Sequence, residues 1–188
     1  MRIEPQAIPE VLAITPKRIG DARGYFSEIY RKDVFERHCP GIDFVQDNQS
    51  LSADAGTLRG LHFQTAPFAQ AKLVRVLSGA ILDVAVDIRR GSPTYGRHVA
   101  LRLDAEAGTQ LFIPAGFAHG FCTLEPATLV HYKVNSYYSA ANDKGLAFDD
   151  PALAVPWPVA PGKAVLSAKD RTHPRLADFP AYFSYSSG

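Results

Sequence analysis

Two short segments of the 188-residue chain contain the side chains best suited to chemistry. Residues 58–64 include His62 and are followed by Lys72, and residues 108–119 end at His119. A histidine ring can bind a metal ion or exchange a proton near neutral pH, so the two rings allow either a metal site or acid–base catalysis. His62 is also flanked by apolar residues, and this local pattern leaves a buried structural role open.

The spacing within these segments resembles the paired motifs of the cupin superfamily of jelly-roll barrels. In that superfamily, a Gly-x5-His-x-His-x3/4-Glu-x6-Gly motif and a Gly-x5-Pro-x-Gly-x2-His motif bring their ligands inside one barrel. The second motif is complete here, from Gly108 to His119. The first departs from the pattern, because His62 is followed by Gln64, and Lys72 lies near the expected position of the carboxylate.

Lys72 argues against a metal site, because a charged ammonium group repels a cation and cannot coordinate it. We therefore predict acid–base chemistry without a metal ion. A metal-dependent cupin oxygenase or isomerase that uses His62 and His119 is the rival hypothesis. The remaining histidines lack such motifs and are predicted to be structural or surface residues: His38, His98, His131 and His173.

Alternating apolar and polar residues predict the strands that would position these side chains. The alternation extends from residue 73 to residue 135 and is interrupted by glycine and proline, of which the chain has 14 each. The predicted elements are strands 73–77, 81–88, 98–103, 110–113, 121–124 and 128–134, a hairpin turn at 78–79 and a short helix at 32–39. Short strands at this spacing indicate an all-β jelly-roll barrel with a few short helices.

Strand 81–88 has an unusual second face. One face is apolar, whereas the other carries Asp83 and Asp87. A solvated strand face is the commoner explanation of such a pattern and is our prediction. A face that lines a functional site is the alternative.

The C-terminal third is broken by prolines and glycines, and only residues 177–182 have the pattern of a packed terminal piece. We predict a segment that wraps around the barrel, not a second domain. The chain length also favours one domain, so residues 1–188 are predicted to form a single cupin jelly-roll domain.

Charge and cysteine content restrict the possible partners. Twenty Lys and Arg against nineteen Asp and Glu give a net charge of +1, which argues against a nucleic-acid partner. Cys39 and Cys122 lack the spacing of a disulfide framework or a metal knuckle, which favours a reducing compartment. Residues 1–16 lack a signal-peptide core, and no apolar stretch is long enough to span a membrane. We therefore expect a cytoplasmic protein with no membrane partner.

Over about residues 10 to 180, the chain resembles the dTDP-4-dehydrorhamnose 3,5-epimerase family of sugar-nucleotide epimerases. The resemblance rests on motifs that follow one another in order: 21–28, 46–50, 58–64, 116–121, 132–133, 137–138, 149–151, 157–158 and 166–170. It implies inversion of C3 and C5 of dTDP-4-keto-6-deoxyglucose. It implies no organic cofactor, because the C4 ketone of the substrate acidifies both neighbouring carbons.

The resemblance also implies four catalytic roles. His62 is the general base and Asp170 is the carboxylate that orients it. Lys72 supplies positive charge to the enolate, and Tyr132 is the acid that returns the proton on the opposite face. These residue types suit the reaction, which needs a base near neutral pKa, a group that stabilises the enolate and an acid.

The binding residues are likewise implied by the resemblance. Substrate and diphosphate contacts match Arg23, Arg59 and Lys169, where guanidinium groups suit phosphate oxygens. The remaining matches are positions near the nucleotide base, the sugar and the reacting ring: Glu28, Gln46, Asn48, His119, Tyr138 and Asp143. The family also implies a homodimer with exchanged N-terminal strands, in which Arg23 and Glu28 reach the partner's site.

Three departures from the family pattern keep other hypotheses open. Asp143 stands where the family usually has a glutamate, Phe68 is bulky in a loop of small or acidic residues, and residues 140–142 replace a stretch that contains proline. A mono-epimerase that inverts only C3 or only C5 of a related dTDP-4-keto-6-deoxy sugar is therefore an alternative. A non-catalytic cupin that binds sugar nucleotides is a further one.

Overall fold

The computed structural model describes residues 1–185, and most of its regular structure is β. A single turn of α-helix, α1 (Lys32–Phe35), and three short 3-10 turns in the C-terminal segment accompany the strands of this region. The strands are β1 (Arg2–Pro5), β2 (Leu12–Thr15), β3 (Arg18–Asp21), β4 (Gly24–Ser27), β5 (Gln46–Ser52), β6 (Leu58–Gln64), β7 (Lys72–Ser78), β8 (Ala80–Asp87), β9 (Arg89–Arg90), β10 (His98–Asp104), β11 (Gln110–Ile113), β12 (Phe117–Thr123), β13 (Thr128–Val134), β14 (Asp143–Gly145) and β15 (Phe183–Ser184).

Two antiparallel sheets form the barrel. One has the strand order β1-β2-β11-β7-β13-β5, and the other has the order β10-β8-β12-β6-β14. Apolar side chains from both sheets pack between them, including Val74 of β7, Val130 of β13, Ile81 of β8 and Phe121 of β12. Alternation along each strand sends every second side chain into this interior. The structure confirms the prediction of an all-β cupin jelly roll.

The C-terminal segment covers the outer face of the second sheet, as predicted. Phe63 of β6 and Val86 of β8 pack in one cluster with Leu153 and Phe179. β15 then pairs in parallel with β9. Burial of apolar area at roughly 25 cal/mol per Å² stabilises this arrangement.

Most predicted strands agree with the structure, and the largest differences concern β12 and the helix. β11 and β13 have the predicted bounds, whereas β12 begins at Phe117 directly after the turn and therefore includes His119. α1 is only four residues long, although the sequence predicted a helix at 32–39. No side chain caps it at Arg31, and helices without such a cap are less stable.

The prediction of a solvated aspartate face on β8 is wrong. Asp83 and Asp87 are both 0% exposed, because β8 lies between β10 and β12 in its sheet and is covered on both faces. Asp87 accepts hydrogen bonds from Arg89, Ser92 and Thr94, which offset the cost of burying its charge. Asp83 instead lies beside the candidate site.

Gly60 lets β6 approach β12 closely. Its φ is +131°, and a Cβ there would overlap the backbone of Gly120. We expect Gly60→Ala to lower the free energy of unfolding by about 2 kcal/mol or more, measured by urea denaturation. Gly24→Ala is the matched control, since its φ is +130° and a Cβ would meet no atom of the described residues within 4 Å. Equal losses in the two variants would show that the close approach has no importance.

Candidate active site

Two adjoining cavities of about 290 Å³ and 220 Å³ lie between the sheets. His62, Lys72 and Tyr132 line both of them. His62 comes from the second sheet, and the other two come from neighbouring strands of the first sheet. A molecule bound here would therefore contact groups from both sheets at once.

His62 is hydrogen-bonded to a carboxylate from the C-terminal segment. Its Nε2 lies 2.5 Å from Oδ1 of Asp170, although the two residues are 108 positions apart. The segment is held beside β6 because the backbone N–H of Leu58 donates to the carbonyl of Val165, at 2.9 Å. Ser167 Oγ donates to the other oxygen of Asp170, at 2.8 Å. The C-terminal segment thus carries the partner of the His62 ring.

Asp170 is ionised despite its burial. Burial alone raises the pKa of this carboxyl, but the nearby His173 and His62 rings and the Ser167 hydroxyl hold its pKa well below the usual range. A carboxylate on Nε2 fixes the orientation of the His62 ring and stabilises its protonated form. Nδ1 is then the ring nitrogen that can exchange a proton with a ligand.

Lys72 is a buried cation between the two sheets. Burial lowers the pKa of its ammonium group to about 8, whereas the charges of Asp83 and Asp143 act in the opposite direction. Its Nζ donates to the carbonyl of His62, at 3.4 Å. Lys72 therefore places positive charge beside His62 at neutral pH.

Tyr132 lies on the sheet opposite His62. Burial raises the pKa of its phenol, Arg59 lowers it, and Asp143 raises it. The side chain is therefore a neutral acid at physiological pH. A base and an acid thus line the same cavities from opposite sheets.

His119 forms a second imidazole–carboxylate pair in this region. Its Nε2 lies 2.6 Å from Oδ1 of Asp83, and the residue is the cross-strand partner of His62. Burial lowers the pKa of His119, and the charge of Asp83 opposes this effect. The alternative prediction, that this face of β8 lines a functional site, applies to Asp83, whereas its pairing with His119 of the neighbouring strand β12 was not predicted.

Most predicted binding residues surround the same cavities. Gln46 and Asn48 of β5 are joined by a side-chain hydrogen bond of 2.7 Å. Tyr138 Oη donates to Oδ2 of Asp143, at 3.2 Å, and Lys169 forms an ion pair with the same oxygen. Arg59, from β6, lines the smaller cavity. The mouth of the site is thus polar and carries both signs of charge.

Arg23 and Glu28 are not brought to the cavities within one chain. Both belong to the region of the β3–β4 hairpin, where the side chain of Arg23 is 89% exposed and pairs with Asp21. Glu28 lies 3.7 Å from Arg31. Within one chain, neither residue lines the two cavities.

Several residues around the site were not predicted. Ser50 and Ser167 line the smaller cavity and Gln70 lines the larger one. His173, predicted to be structural or on the surface, lies 3.7 Å from Asp170. Its position three residues after Asp170 was the only signal in the sequence.

One cluster has the composition of a metal site. Among residues 1–185, donor atoms of His62, Asp170 and His173 lie within 4.8 Å of one another. The rival hypothesis instead requires a site shared by His62 and His119. Each of these rings has Nε2 hydrogen-bonded to its own carboxylate, an arrangement that also suits proton transfer.

The described residues contain no helix long and apolar enough to cross a membrane.

Comparison with known proteins identifies the family. Residues 5–178 match the family model described as dTDP-4-dehydrorhamnose 3,5-epimerase. A protein of that name from Sinorhizobium fredii is 52% identical over 185 residues, which cover 98% of this chain and 94% of the relative.

Two solved structures are similar over nearly the whole chain. The enzyme from Legionella pneumophila in complex with dTDP-4-keto-L-rhamnose is 40% identical, with a TM-score of 0.93 and 99% of each chain covered. The enzyme from Bacillus anthracis with TDP and PPi bound is 48% identical, with a TM-score of 0.89, and the match covers 93% of this chain and 98% of that one. The chain therefore belongs to the dTDP-4-dehydrorhamnose 3,5-epimerase family.

Proposed function

We propose that the protein inverts C3 and C5 of dTDP-4-keto-6-deoxyglucose. The observation that carries this proposal is that His62 and Tyr132 line the same cavities from opposite sheets, with Lys72 beside them. Inversion needs a base on one face of the sugar and an acid on the other. Family membership supports the choice of substrate.

Proton transfer next to the C4 ketone explains the chemistry. His62, oriented by Asp170, takes the proton from C3 or C5, and the negative charge passes to the ketone oxygen. Lys72 stabilises this enolate with its positive charge. Tyr132 then gives its proton to the opposite face of the same carbon, and configuration is inverted. General acid–base catalysis of this kind contributes roughly 10²–10⁴-fold for each group.

The same residues serve both carbons, because the ketone lies between them. Between the two inversions, exchange with solvent removes the proton from His62 and returns one to Tyr132. We propose no step that requires a metal ion or an organic cofactor, since the ketone of the substrate already acts as the electron sink. His119, held by Asp83, contacts the sugar near the reacting ring. The chain works as a single cupin domain over residues 1–188, in the cytoplasm.

The nucleotide binds at the polar mouth of the cavities. Arg59 and Lys169 contact the diphosphate, whose oxygens accept hydrogen bonds from both guanidinium and ammonium groups. Gln46 and Asn48 contact the nucleotide base and the sugar, and Asp143 contacts the substrate beside them. The ring of Tyr138 stacks in the nucleotide site.

A second copy of the chain completes the site in this proposal. The β3–β4 hairpin exposes Ile19, Tyr25 and Phe26, each by 59% or more, and edge strand β5 exposes Leu51 by 61%. Exposed apolar side chains of this kind favour an interface. A homodimer that exchanges N-terminal strands would cover them and bring Arg23 and Glu28 to the partner's cavity.

A turnover assay tests the proposed function. Purified protein is incubated with dTDP-4-keto-6-deoxyglucose, and proton NMR coupling constants report the configuration at C3 and C5. We expect inversion at both carbons. Inversion at one carbon would identify a mono-epimerase, for which Asp143 in place of glutamate is the relevant departure. Bound but unchanged substrate would identify a binding protein and refute the proposal.

Activity should also depend on the protonation of Lys72. We expect kcat/KM to fall as the pH rises through about 8, because burial lowers the pKa of this ammonium group to about 8 and its neutral form cannot stabilise the enolate. Loss of the Tyr132 proton would act only at higher pH, since burial raises that pKa above its ordinary value of 10.

Lys72→Arg separates these two effects, because a guanidinium group stays charged throughout the range. The variant should be slower, but its kcat/KM should no longer fall near pH 8. A decline at the same pH in Lys72→Arg would show that Lys72 is not the titrating group.

A further inference from the structure

His173 is a buried titratable group beside the proposed base that the mechanism above does not use. Its side chain is 8% exposed, and Nε2 lies 3.7 Å from Oδ1 of Asp170. His62 contacts the same oxygen at 2.5 Å. The two rings pack edge to face, with centroids 5.6 Å apart. One carboxylate therefore lies between two imidazole rings.

The fold holds the His173 ring in this position. The ring lies against Gly145 of β14, where any Cβ would overlap it. Gly145 is in turn the cross-strand partner of His62. The following backbone is tied to the sheet, because the N–H of Ala147 donates to the carbonyl of Pro174 at 2.8 Å. His173 thus occupies a place that only a glycine on β14 leaves available.

The contacts of His173 are directed at the carboxylate and not at the substrate. His173 lines neither of the two cavities that contain His62. Its Nε2 is buried and has no hydrogen-bond partner within residues 1–185, so the Asp170 oxygen at 3.7 Å is the charge that it meets. Together with Ser167, His173 opposes the effect of burial on Asp170.

We propose that His173 is a positioning residue. Its ring interacts electrostatically with the Asp170 carboxylate, and this interaction weakens the attraction of Asp170 for the proton of His62. A carboxylate that interacts with two rings acts on each of them less than a carboxylate that interacts with one. Removing His173 should therefore make His62 bind its proton more tightly. The effect on turnover rests on the proposed function, whereas the effect on the His62 ring does not.

The charges around His173 do not change the sign of this effect. On the inner side the ring meets Asp170 and His62, and a cavity of about 440 Å³ on its outer side is lined by Asp149, Arg171 and Arg175. Asp170 is the carboxylate within 4 Å of Nε2, so a proton on that nitrogen would interact with its negative charge.

Two substitutions isolate the donor from the volume of the ring. His173→Met introduces an apolar side chain of similar length and removes the ring N–H, whereas His173→Gln keeps an N–H near the position of Nε2. The titration of the His62 ring is followed by NMR with labelled histidine. We expect its midpoint to rise by about half a pH unit or more in the methionine variant. The glutamine variant should stay close to the unmodified protein.

Kinetics provide the second measurement. The acid limb of kcat/KM should move to higher pH in His173→Met, while the rate at high pH stays within about threefold of the unmodified protein. KM should change little, because His173 does not line the cavities. A merely structural role would lower the rate equally at every pH.

Gly145→Ala gives a second test, because its methyl group would overlap the His173 ring and displace it from its present position beside Asp170. It should reproduce the shift of the His62 midpoint, and adding His173→Met should not enlarge that shift. His98→Met is the control, since this ring lies on β10 and its Nδ1 contacts the carbonyl of Leu153.

Two results would overturn the inference: an unchanged His62 midpoint in His173→Met, or equal shifts in the methionine and glutamine variants. Absence of turnover by the unmodified protein would refute the proposed function instead and leave the NMR comparison intact.

Discussion

His62→Ala is expected to abolish proton exchange at both C3 and C5 of the substrate. In the proposed mechanism the imidazole removes the proton at both carbons, and Lys72 cannot replace it because its ammonium group is protonated at neutral pH. Loss of a general base lowers the rate of proton removal by roughly 10²–10⁴-fold. Both proton removals are slowed in this way, and kcat follows the slower of the two. We therefore expect a decrease of about 10³-fold or more in kcat, measured by substrate deuteration and by product formation.

Two further variants test whether the loss of activity is specific to the His62–Asp170 pair. Asp170→Asn should lower kcat by about 10²-fold or more, because an amide can hold the His62 ring in the wrong tautomer and does not stabilise its protonated form. His98→Ala is the matched control, since this half-buried histidine lies on β10, outside the two cavities. Exchange at a normal rate in His62→Ala would assign the base to another residue.

Tyr132→Phe should separate proton exchange from inversion. His62 still takes the proton, and Lys72 still stabilises the enolate, so the variant retains exchange. With no acid on the opposite face, the enolate is reprotonated by His62 on the face from which the proton left. We expect product formation to fall by about 10²–10⁴-fold, while deuterium enters recovered substrate with its configuration retained.

NMR of the recovered sugar distinguishes the possible results, because label and configuration are read from the same spectrum. Tyr95→Phe is a suitable control, since its hydroxyl is buried in the loop after β9 and away from the cavities. Inversion at an undiminished rate in Tyr132→Phe would require a different acid. Equal loss of exchange and inversion would mean that the hydroxyl acts before the enolate forms.

Local sequence patterns located the elements that build the site. Alternation gave the bounds of β11 and β13, and the complete Gly-to-His motif located His119. Lys72 also stood out, because its charge does not suit a metal-binding cupin. These signals are local: each depends on residues a few positions apart, which a strand or turn necessarily brings together.

The rest of the site depends on contacts between distant parts of the chain. Asp170 meets His62 only because the C-terminal segment is hydrogen-bonded alongside β6, and no spacing rule connects positions 108 residues apart. The pairing was therefore available from family resemblance alone. The proposed binding role of Arg23 is likewise not visible in one chain, where its exposed side chain pairs with Asp21.

Asp83 shows a different limit of sequence reasoning. Alternation correctly placed it on the face opposite the apolar residues of β8, but it cannot tell how many faces of a strand are covered. In a two-layer barrel wrapped by its own C-terminal segment, both faces of a central strand are buried. A carboxylate on the inner face then needs a partner, and His119 provides it.

In the proposed mechanism, His62 removes a proton from each carbon next to the ketone without a metal ion. The most direct test is to incubate the unmodified protein with dTDP-4-keto-6-deoxyglucose in heavy water that contains a chelator, and to locate the label by NMR. We expect deuterium at both C3 and C5. Label at neither carbon, or label that appears only after a metal ion is added back, would contradict the proposed mechanism.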